Sequence, residues 1–448
     1  MGNKKVVVIG AGCAGLSATY TLKKHGVDVL TLESTGTAGG RCQQKKKGRF
    51  IFSYGAFMTE PQWDTTFRYV EELDMIDQVV PIRANRYGFP RNGKVYYILL
   101  GAPLWEELLA IPEFLRFRGL PFKAYPQLVK LGFAMLKYLR ALDPTNHDFD
   151  VLTDISNTSA AEFTLKHGGQ EALDCVMRPF LQDMVLGQPE EITIAHPIAL
   201  TRLMRGMCTM KYGMGSINAA LYEKVKDCVR LSTPVKKVVI ENKKVKGVET
   251  AEGFIEADQV ICATDTFDAR QMMPDLPDTI RKPLETCQYS RTFSYMFAVD
   301  KKLGPKHFLM HLIPGKEPLI DAAGIVSRDG TATAPPGTCI VHTYTVGLHD
   351  EEICKLSEAE RRRMVIRETQ KYLPGFPDEP LMTEVARYDR AVNLESPGQF
   401  PAIRELQKNH LRDVKGLYLA GEYLFLIACT EGAFATGEKA AHMVMEDL

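Results

Sequence analysis

Three glycines, Gly10, Gly12 and Gly15, follow the β-branched run Val6 to Ile9 in G-x-G-x-x-G spacing, and Glu33 closes a second apolar run about twenty residues later. The chemistry such a set performs is the holding of a dinucleotide. The first glycine permits a tight turn, the second lets backbone approach a pyrophosphate, and the third lets the following helix pack closely on the strand. The loop therefore offers Gly10, Ala11, Gly12, Ala14 and Gly15 as contacts, with a helix N-terminus facing the phosphates. Glu33 stands where an acid accepts hydrogen bonds from ribose hydroxyls, and its charge disfavours a 2′-phosphate, so NADP is not expected.

The elements that must position these residues are legible around them. Val6 to Ile9 reads as a buried parallel strand, Leu16 to His25 as its helix with Gly26 as the stop, and Val27 to Leu32 as a second strand. A small polar loop, Ser34 to Thr37, then leads to Gly39, Gly40 and Arg41, where backbone N–H groups and a guanidinium form a second clamp for a diphosphate. A dehydrogenase using NAD has no need of that clamp. Near the other end, Leu417 to Ala420 reads as a strand delivering Gly421 and Glu422, and Glu431, Gly432 and Ala433 open a helix running through Ala441. Its N-terminus, aimed at a flavin ring, would stabilise the negative charge that develops on hydride uptake. Nucleotide-binding elements so far apart make sense if one FAD is gripped from both ends.

Composition narrows the alternatives. Lys+Arg and Asp+Glu both total 55, so the net charge is zero and no overall field draws the chain to nucleic acid. The ten cysteines lack a C-x-x-C pair and any metal-ligand spacing. They read as reduced residues of a cytoplasmic protein, and no metal is expected. The apolar start after Lys4 and Lys5 is accounted for by the glycine fingerprint rather than by a signal peptide, and no run of eighteen apolar residues exists.

The motifs resemble the FAD-binding family that contains protoporphyrinogen oxidase, the phytoene and ζ-carotene desaturases and the flavin amine oxidases. In that family GGR precedes an apolar stretch and a Gly-Ala turn beside the flavin, here Phe50 to Phe52 and then Gly55, Ala56, Phe57 and Met58. Ser53 replaces the family's frequent Asp. Val235 resembles the valine whose backbone meets adenine, and Ala263 lies in the small-residue turn beneath the dinucleotide. Tyr212 to Ser216 resembles the turn by which the chain re-enters the flavin domain, and Arg387 to Phe400 resembles a return strand, with Tyr388 where tryptophan is commoner. The resemblance implies an α/β fold: a Rossmann-like, glutathione-reductase-like FAD-binding domain with an inserted α+β substrate domain and helical cap. The FAD-binding domain is expected in three parts (1–82, 208–275 and 386–448). The substrate domain is expected as a hairpin and helical part (83–207) and a sheet part (276–385).

It also implies an FAD-dependent dehydrogenase that takes a hydride onto flavin N5 and passes the electrons to an acceptor the sequence does not name. Amine oxidases of the family place an aromatic wall two residues before the last glutamate, where this chain has Cys429, preceded by Ala428. The LIACTEGA phrasing is closer to the carotenoid-desaturase and protoporphyrinogen-oxidase branches, whose substrates are large and apolar. An amine oxidase and a flavin-free prenyl-binding protein of the Rab GDP-dissociation-inhibitor type are the alternatives, the latter disfavoured by the intact GGR, Gly-Glu and EGA segments. No catalytic side chain is assigned.

Phe114 to Leu142 carries Arg116, Arg118, Lys123, Lys130, Lys137 and Arg140 among many apolar residues and no acid. Either it packs inside the substrate domain or it meets a lipid surface beside a hydrophobic substrate. Lys45 to Arg49 reads as a solvated loop. Tyr87 to Ile98 reads as a hairpin around Asn92-Gly93, and Thr292 to Val299 and Cys339 to Val346 as strands. On the last of these, His342 and Tyr344 share a face; a satisfied strand histidine is favoured over one that meets substrate.

Overall fold

The computed structural model describes residues 5–82, 86–99, 111–142, 148–203, 206–304, 308–327 and 329–448. Its nucleotide half is built on a five-stranded sheet in the order Leu417–Leu419, Gln259–Cys262, Val6–Ile9, Val29–Leu32, Val229–Arg230. Every pair is parallel. Val6–Ile9 and Gln259–Cys262 are buried along their whole length, as the continuous Val and Ile runs require of central strands covered on both faces. An antiparallel meander, Lys237–Glu241, Lys244–Thr250 and Gly253–Glu256, branches from this unit. Helix Cys13–Lys24 lies along helix Thr430–Glu446, so the two sequence-distant segments share one side of the sheet.

The approach of these two helices is close enough to need glycine. A Cβ added at Gly437 would sit 2.1 Å from the Ala14 carbonyl oxygen, and Ser17 Oγ donates to the Phe434 carbonyl at 2.7 Å.

The second half is a seven-stranded mixed sheet in the order Met382–Tyr388, Thr292–Val299, Cys339–Thr345, Ile320–Ile325, Phe308–His311, Arg86–Arg91, Lys94–Leu99. The last two form the expected hairpin, with Asn92 (φ 51°) and Gly93 (φ 72°) both left-handed as a two-residue turn demands. The hairpin joins the rest through a parallel pairing with Phe308–His311. Helix Glu358–Tyr372, capped by a reciprocal Ser357–Glu360 box, covers one face over Phe293, Phe297, Val341 and Ile353. The other face looks toward residues 50–58 and helix Arg178–Val185. Helices Ala124–Ala141, Ala160–His167, Arg178–Val185 and Ala195–Leu203 pack together around Leu131, Leu152, Leu173, Leu181 and Ile198.

Two sequence expectations are corrected. Of Arg387 to Phe400, Arg387 and Tyr388 alone are strand, as the end of Met382–Tyr388, which belongs to the seven-stranded sheet and crosses the expected boundary at 385. Beyond it a local polar network takes the place of a ladder: Asn393 Nδ2 and Gln399 Nε2 donate to the buried Glu395 carboxylate, and Glu395 itself is left-handed. Lys45 to Lys47 are not loop either. They form the strand Gln44–Lys47, paired with Phe50–Ser53, in which Lys45 and Lys46 face solvent and Lys47 Nζ lies 2.5 Å from Glu384.

Candidate FAD and substrate site

The sequence-predicted cofactor residues converge at the C-terminal edge of the parallel sheet. Gly10 N–H makes the last bond to the neighbouring strand, at the Leu32 carbonyl, and its left-handed φ of 97° then turns the chain out of the sheet. A Cβ at Gly15 would stand 1.9 Å from the Gly10 carbonyl oxygen, so helix and turn touch through backbone. Helix Cys13–Lys24 has no side-chain cap at Gly12 and no acid in its first turn. An uncapped N-terminus of this kind fits an anionic diphosphate. Alongside runs the second clamp: Gly39 N–H donates to the Ala11 carbonyl, and Gly40 passes so close to Gly12 that a Cβ on it would meet Gly12 Cα at 3.2 Å.

Glu33 sits at the end of Val29–Leu32. Its Oε2 accepts from Ala11 N–H at 2.8 Å and its Oε1 from Thr35 N–H and Oγ1 at 2.9 and 2.8 Å. The Thr233 N–H donates to the Glu33 carbonyl, which places Val235, two residues on, at the same end of the site. Ala263 hangs from the Ile9 carbonyl, and its Cβ lies 3.5 Å from where a Gly15 side chain would start. Gly55 crosses the Arg41 carbonyl with room for hydrogen alone. Ala56 follows it, and Phe57 and Met58 pack into the apolar cluster of Phe89, Phe117 and Leu120.

At the distal grip, Gly421 (φ 153°) is held by its N–H donating to Thr436 Oγ1 at 3.0 Å. Arg41 Nη2 reaches Glu422 at 2.6 Å and its Nη1 donates to the Ala391 carbonyl at 3.0 Å, so the guanidinium and Glu422 tie the two grips together. Gly432 and Ala433 lie in the first turn of Thr430–Glu446, where Gly432 N–H points at Cys429 Sγ and Ala433 N–H at the Cys429 carbonyl.

Glu431, expected among the cofactor residues at the opening of this helix, turns its carboxylate toward a neighbouring helix. Its carboxylate, 1 % exposed, accepts from Thr65 N–H (3.0 Å), Thr66 N–H (2.8 Å) and Thr66 Oγ1 (2.7 Å). Those donors are the opening turn of helix Asp64–Glu72, whose own cap residue, Trp63, supplies no acceptor. Glu431 is therefore a cap delivered from a distant helix.

On the substrate side, four polar groups run in a line. Tyr344 OH is 3.2 Å from His342 Nδ1, His342 Nε2 is 2.6 Å from Ser294 Oγ, and Ser294 Oγ donates to the Tyr54 carbonyl at 3.2 Å. Each imidazole nitrogen thus has a hydroxyl within hydrogen-bond reach, Ser294 Oγ at Nε2 and Tyr344 OH at Nδ1. Burial lowers the His342 pKa to about 3, which keeps the ring neutral. The strand histidine is thus satisfied, and its ring lies 6.2 Å from Phe57 at the start of the flavin-side segment.

Sequence reasoning missed two residues near this line. Asp183, on helix Arg178–Val185, and Asp321, on strand Ile320–Ile325, are 8 % and 1 % exposed, and none of their four carboxylate oxygens has a hydrogen-bond partner. Burial raises both well above the ordinary aspartate value, and the Asp183 charge raises Asp321 further. Burial and then Asp183 also raise Tyr344, which sets Asp183 beside the Tyr344 end of the line. The available signal was a lone acid inside each of two apolar runs, FLQDMV and LIDAAGI.

Comparison with known proteins accords with this geometry. Residues 13–445 match the model of the flavin containing amine oxidoreductase family. The chain is 29 % identical over 199 residues to the mitochondrial protoporphyrinogen oxidase of Nicotiana tabacum, covering 43 % of this chain and 35 % of that protein. It is 27 % identical over 320 residues to the 1-hydroxycarotenoid 3,4-desaturase of Flavobacterium sp. (strain P99-3), covering 65 % and 62 % respectively. The matches thus span about a third to three fifths of these relatives' lengths. A putrescine oxidase solved with bound putrescine superposes over 99 % of both chains with a TM-score of 0.77 at 13 % identity, a likeness of fold. With both grips on one parallel sheet and the family model matched nearly end to end, the chain belongs to the flavin-containing amine oxidoreductase family, with FAD as its cofactor.

Proposed function

We propose that this enzyme oxidises a substrate with an extended apolar body, which reaches the flavin from an anionic lipid surface. The observation that carries the proposal is the outward face of helix Ala124–Ala141. Phe122, just before it, is 87 % exposed, and Val129 and Phe133 on it are 58 % and 72 % exposed, interleaved with exposed Lys123, Lys130, Lys137 and Arg140. The inward face, Leu131 and Tyr138, packs on the helical core, so this element has both a core side and a basic apolar side. The side chains of Phe114 and Leu115 lie outside the described residues. No described helix is long and apolar enough to cross a membrane, so the contact would be peripheral.

The start of the same helix leads inward. Ala124, Tyr125 and Leu128 share one apolar cluster with Phe117, Leu120, Met184, Phe57 and Met58, a continuous seam from the surface to the flavin-side segment. Bound FAD supplies a two-electron acceptor for the substrate's hydride; the chain's own part is to bind and orient the substrate and to exclude water. The relatives named for protoporphyrinogen oxidation and hydroxycarotenoid desaturation support an apolar substrate, and Cys429, in place of an aromatic wall, supports it over a small amine.

Two measurements test the proposal. Under anaerobic conditions, polyenes, porphyrinogens or other extended apolar compounds should bleach the flavin and benzylamine should not; rapid bleaching by benzylamine alone would overturn it. The protein should pellet with anionic but not neutral vesicles at low salt, and Lys130→Glu with Lys137→Glu should abolish pelleting without loss of FAD, since each cation near an anionic surface contributes about 1 kcal/mol. Wild-type protein that stays in the supernatant with both lipids would refute the lipid route.

A further inference from the structure

We propose that Cys13 and Cys42 are a thiol pair which a hydroperoxide converts to a disulfide, and that this bond ties the two diphosphate clamps together and slows the release of FAD. The bond acts on the cofactor and does not depend on which substrate the enzyme takes.

The fold brings the pair together at a crossing of two backbone segments. Gly39 N–H donates to the Ala11 carbonyl at 2.8 Å, and a Cβ placed on Gly40 would meet Gly12 Cα at 3.2 Å, so the two segments pass at backbone contact. Cys13 follows Gly12 directly and is the first residue of helix Cys13–Lys24; Cys42 ends the single turn Gly40–Cys42, next to Arg41. Cys42 packs against the apolar cluster that holds Cys13 with Met214 and Ile217, and the two thiols share a hydrogen bond. Asn218, buried on helix Gly215–Val225, donates from Nδ2 to Cys13 Sγ at 3.2 Å and to the Gly39 carbonyl at 3.4 Å, which fixes the sulfur against the second clamp. Both cysteines are free, Cys13 buried and Cys42 partly exposed.

The two sulfurs are unequal, and the inequality divides the chemistry between them. The hydrogen bond from Cys42 lowers the Cys13 thiol; burial opposes it, Asn218 and the Arg41 guanidinium add to it, and the net lies below the ordinary cysteine value. Cys13 also stands at an uncapped helix N-terminus, whose free N–H groups favour a thiolate. The same hydrogen bond and burial raise Cys42, which keeps its proton. Cys13 is therefore the attacking thiolate. Its sulfur takes one oxygen of hydrogen peroxide as the O–O bond breaks, giving a sulfenic acid and a hydroxide that recovers the Cys13 proton as water. The Cys42 sulfur then attacks the Cys13 sulfur: the S–S bond forms, the S–O bond breaks, and the hydroxide leaves with the Cys42 proton as a second water. Two thiols and one peroxide give one disulfide and two waters, the sulfurs losing the two electrons that the O–O bond gains. The new bond links the neighbour of Gly12 to the neighbour of Arg41, so a diphosphate gripped by both segments can no longer leave by their parting.

The test treats the FAD-loaded wild-type protein with graded hydrogen peroxide, caps the remaining thiols with iodoacetamide, and maps the peptides by mass spectrometry without reductant. In parallel, FAD release is measured as flavin appearing in an ultrafiltrate. A peptide joining Cys13 to Cys42, two hydrogens lighter than its two halves, should form, and FAD release should slow by about fivefold or more; dithiothreitol should reverse both. In Cys42→Ser, peroxide should no longer slow release, and Cys13 should be trapped by dimedone as its sulfenic acid. Absence of the joined peptide at peroxide concentrations that oxidise the exposed Cys354 would overturn the proposal, as would a joined peptide with unchanged or faster release. If Cys42→Ser fails to retain FAD, the wild type decides alone: slowed release that dithiothreitol does not restore while it cleaves the joined peptide would refute the role of the bond.

Discussion

Replacing Glu431 by Gln should loosen the start of helix Asp64–Glu72 far more than it weakens FAD binding. The carboxylate accepts from Thr65 N–H, Thr66 N–H and Thr66 Oγ1 at 2.7–3.0 Å in a site closed to water. Glutamine keeps one acceptor oxygen and turns an NH2 group toward a donor, so one charge-assisted bond is lost and a buried N–H is left facing another donor. A lost bond to a charged group is worth about 1.5–3 kcal/mol and a stranded donor about 1–3 kcal/mol; allowing for local relaxation, the net is roughly 2–4 kcal/mol. That corresponds to opening about thirty- to a thousandfold more frequent, at 1.4 kcal/mol per factor of ten. Native-state hydrogen exchange at the Thr65 and Thr66 amides reads this directly and needs no assumption of two-state unfolding in a large cofactor-binding protein. The acceleration should be the same with and without FAD. Unchanged exchange at both amides, with FAD affinity lowered by a comparable factor, would refute the cap and restore Glu431 as a cofactor ligand.

Three further outcomes are expected. Arg41→Ala should weaken FAD retention about ten- to a hundredfold, from a charge-assisted contact of about 1.5–3 kcal/mol, and adding Glu422→Gln should recover thermal stability but not FAD affinity; an unchanged dissociation constant in the single variant would show that the guanidinium serves Glu422 and the Ala391 carbonyl alone. Gly437→Ala should lower Tm despite alanine's better helix propensity of about 1 kcal/mol, because a methyl 2.1 Å from the Ala14 carbonyl forces the helices apart, at a cost of about 1–3 kcal/mol or more; a raised Tm would refute the close contact. Asp183→Asn should raise the Tm of ligand-free protein at pH 8 and lose that advantage toward pH 4. An acid whose folded-state pKa is raised has its stability intact below the ordinary value of 3.8 and loses it as pH rises toward the folded pKa, and asparagine removes that loss; a pH-independent difference would contradict the burial of a free acid.

What could be read from the chain alone follows from how local the physics is. The loop at Gly10 to Gly15 and the hairpin at Asn92-Gly93 are each set by neighbours within a few residues, and each forms where spacing and residue type place it. The roles of Glu431 and Asp183 were not legible because both are set across the fold. Glu431 finds its donors 365 residues away, and nothing beside Asp183 in sequence tells that Asp321 lies opposite. The strand Met382–Tyr388 was read too late by five residues because its first half, Met-Thr-Glu-Val-Ala, lacks a buried apolar alternation; it is an edge strand, partly exposed along its length.

The bond from Ser17 to Phe434 spans 417 residues and joins the helix that follows the first nucleotide loop to the helix of the second grip. At ribosomal speeds of about 5–20 residues per second, the glycine loop emerges roughly twenty to eighty seconds before its partner helix exists. During that interval the parallel sheet lacks its Leu417–Leu419 edge, and the face of helix Cys13–Lys24 that will meet Thr430–Glu446 stays bare. The face that Cys13–Lys24 turns toward Thr430–Glu446 is therefore covered only once the second grip has been made.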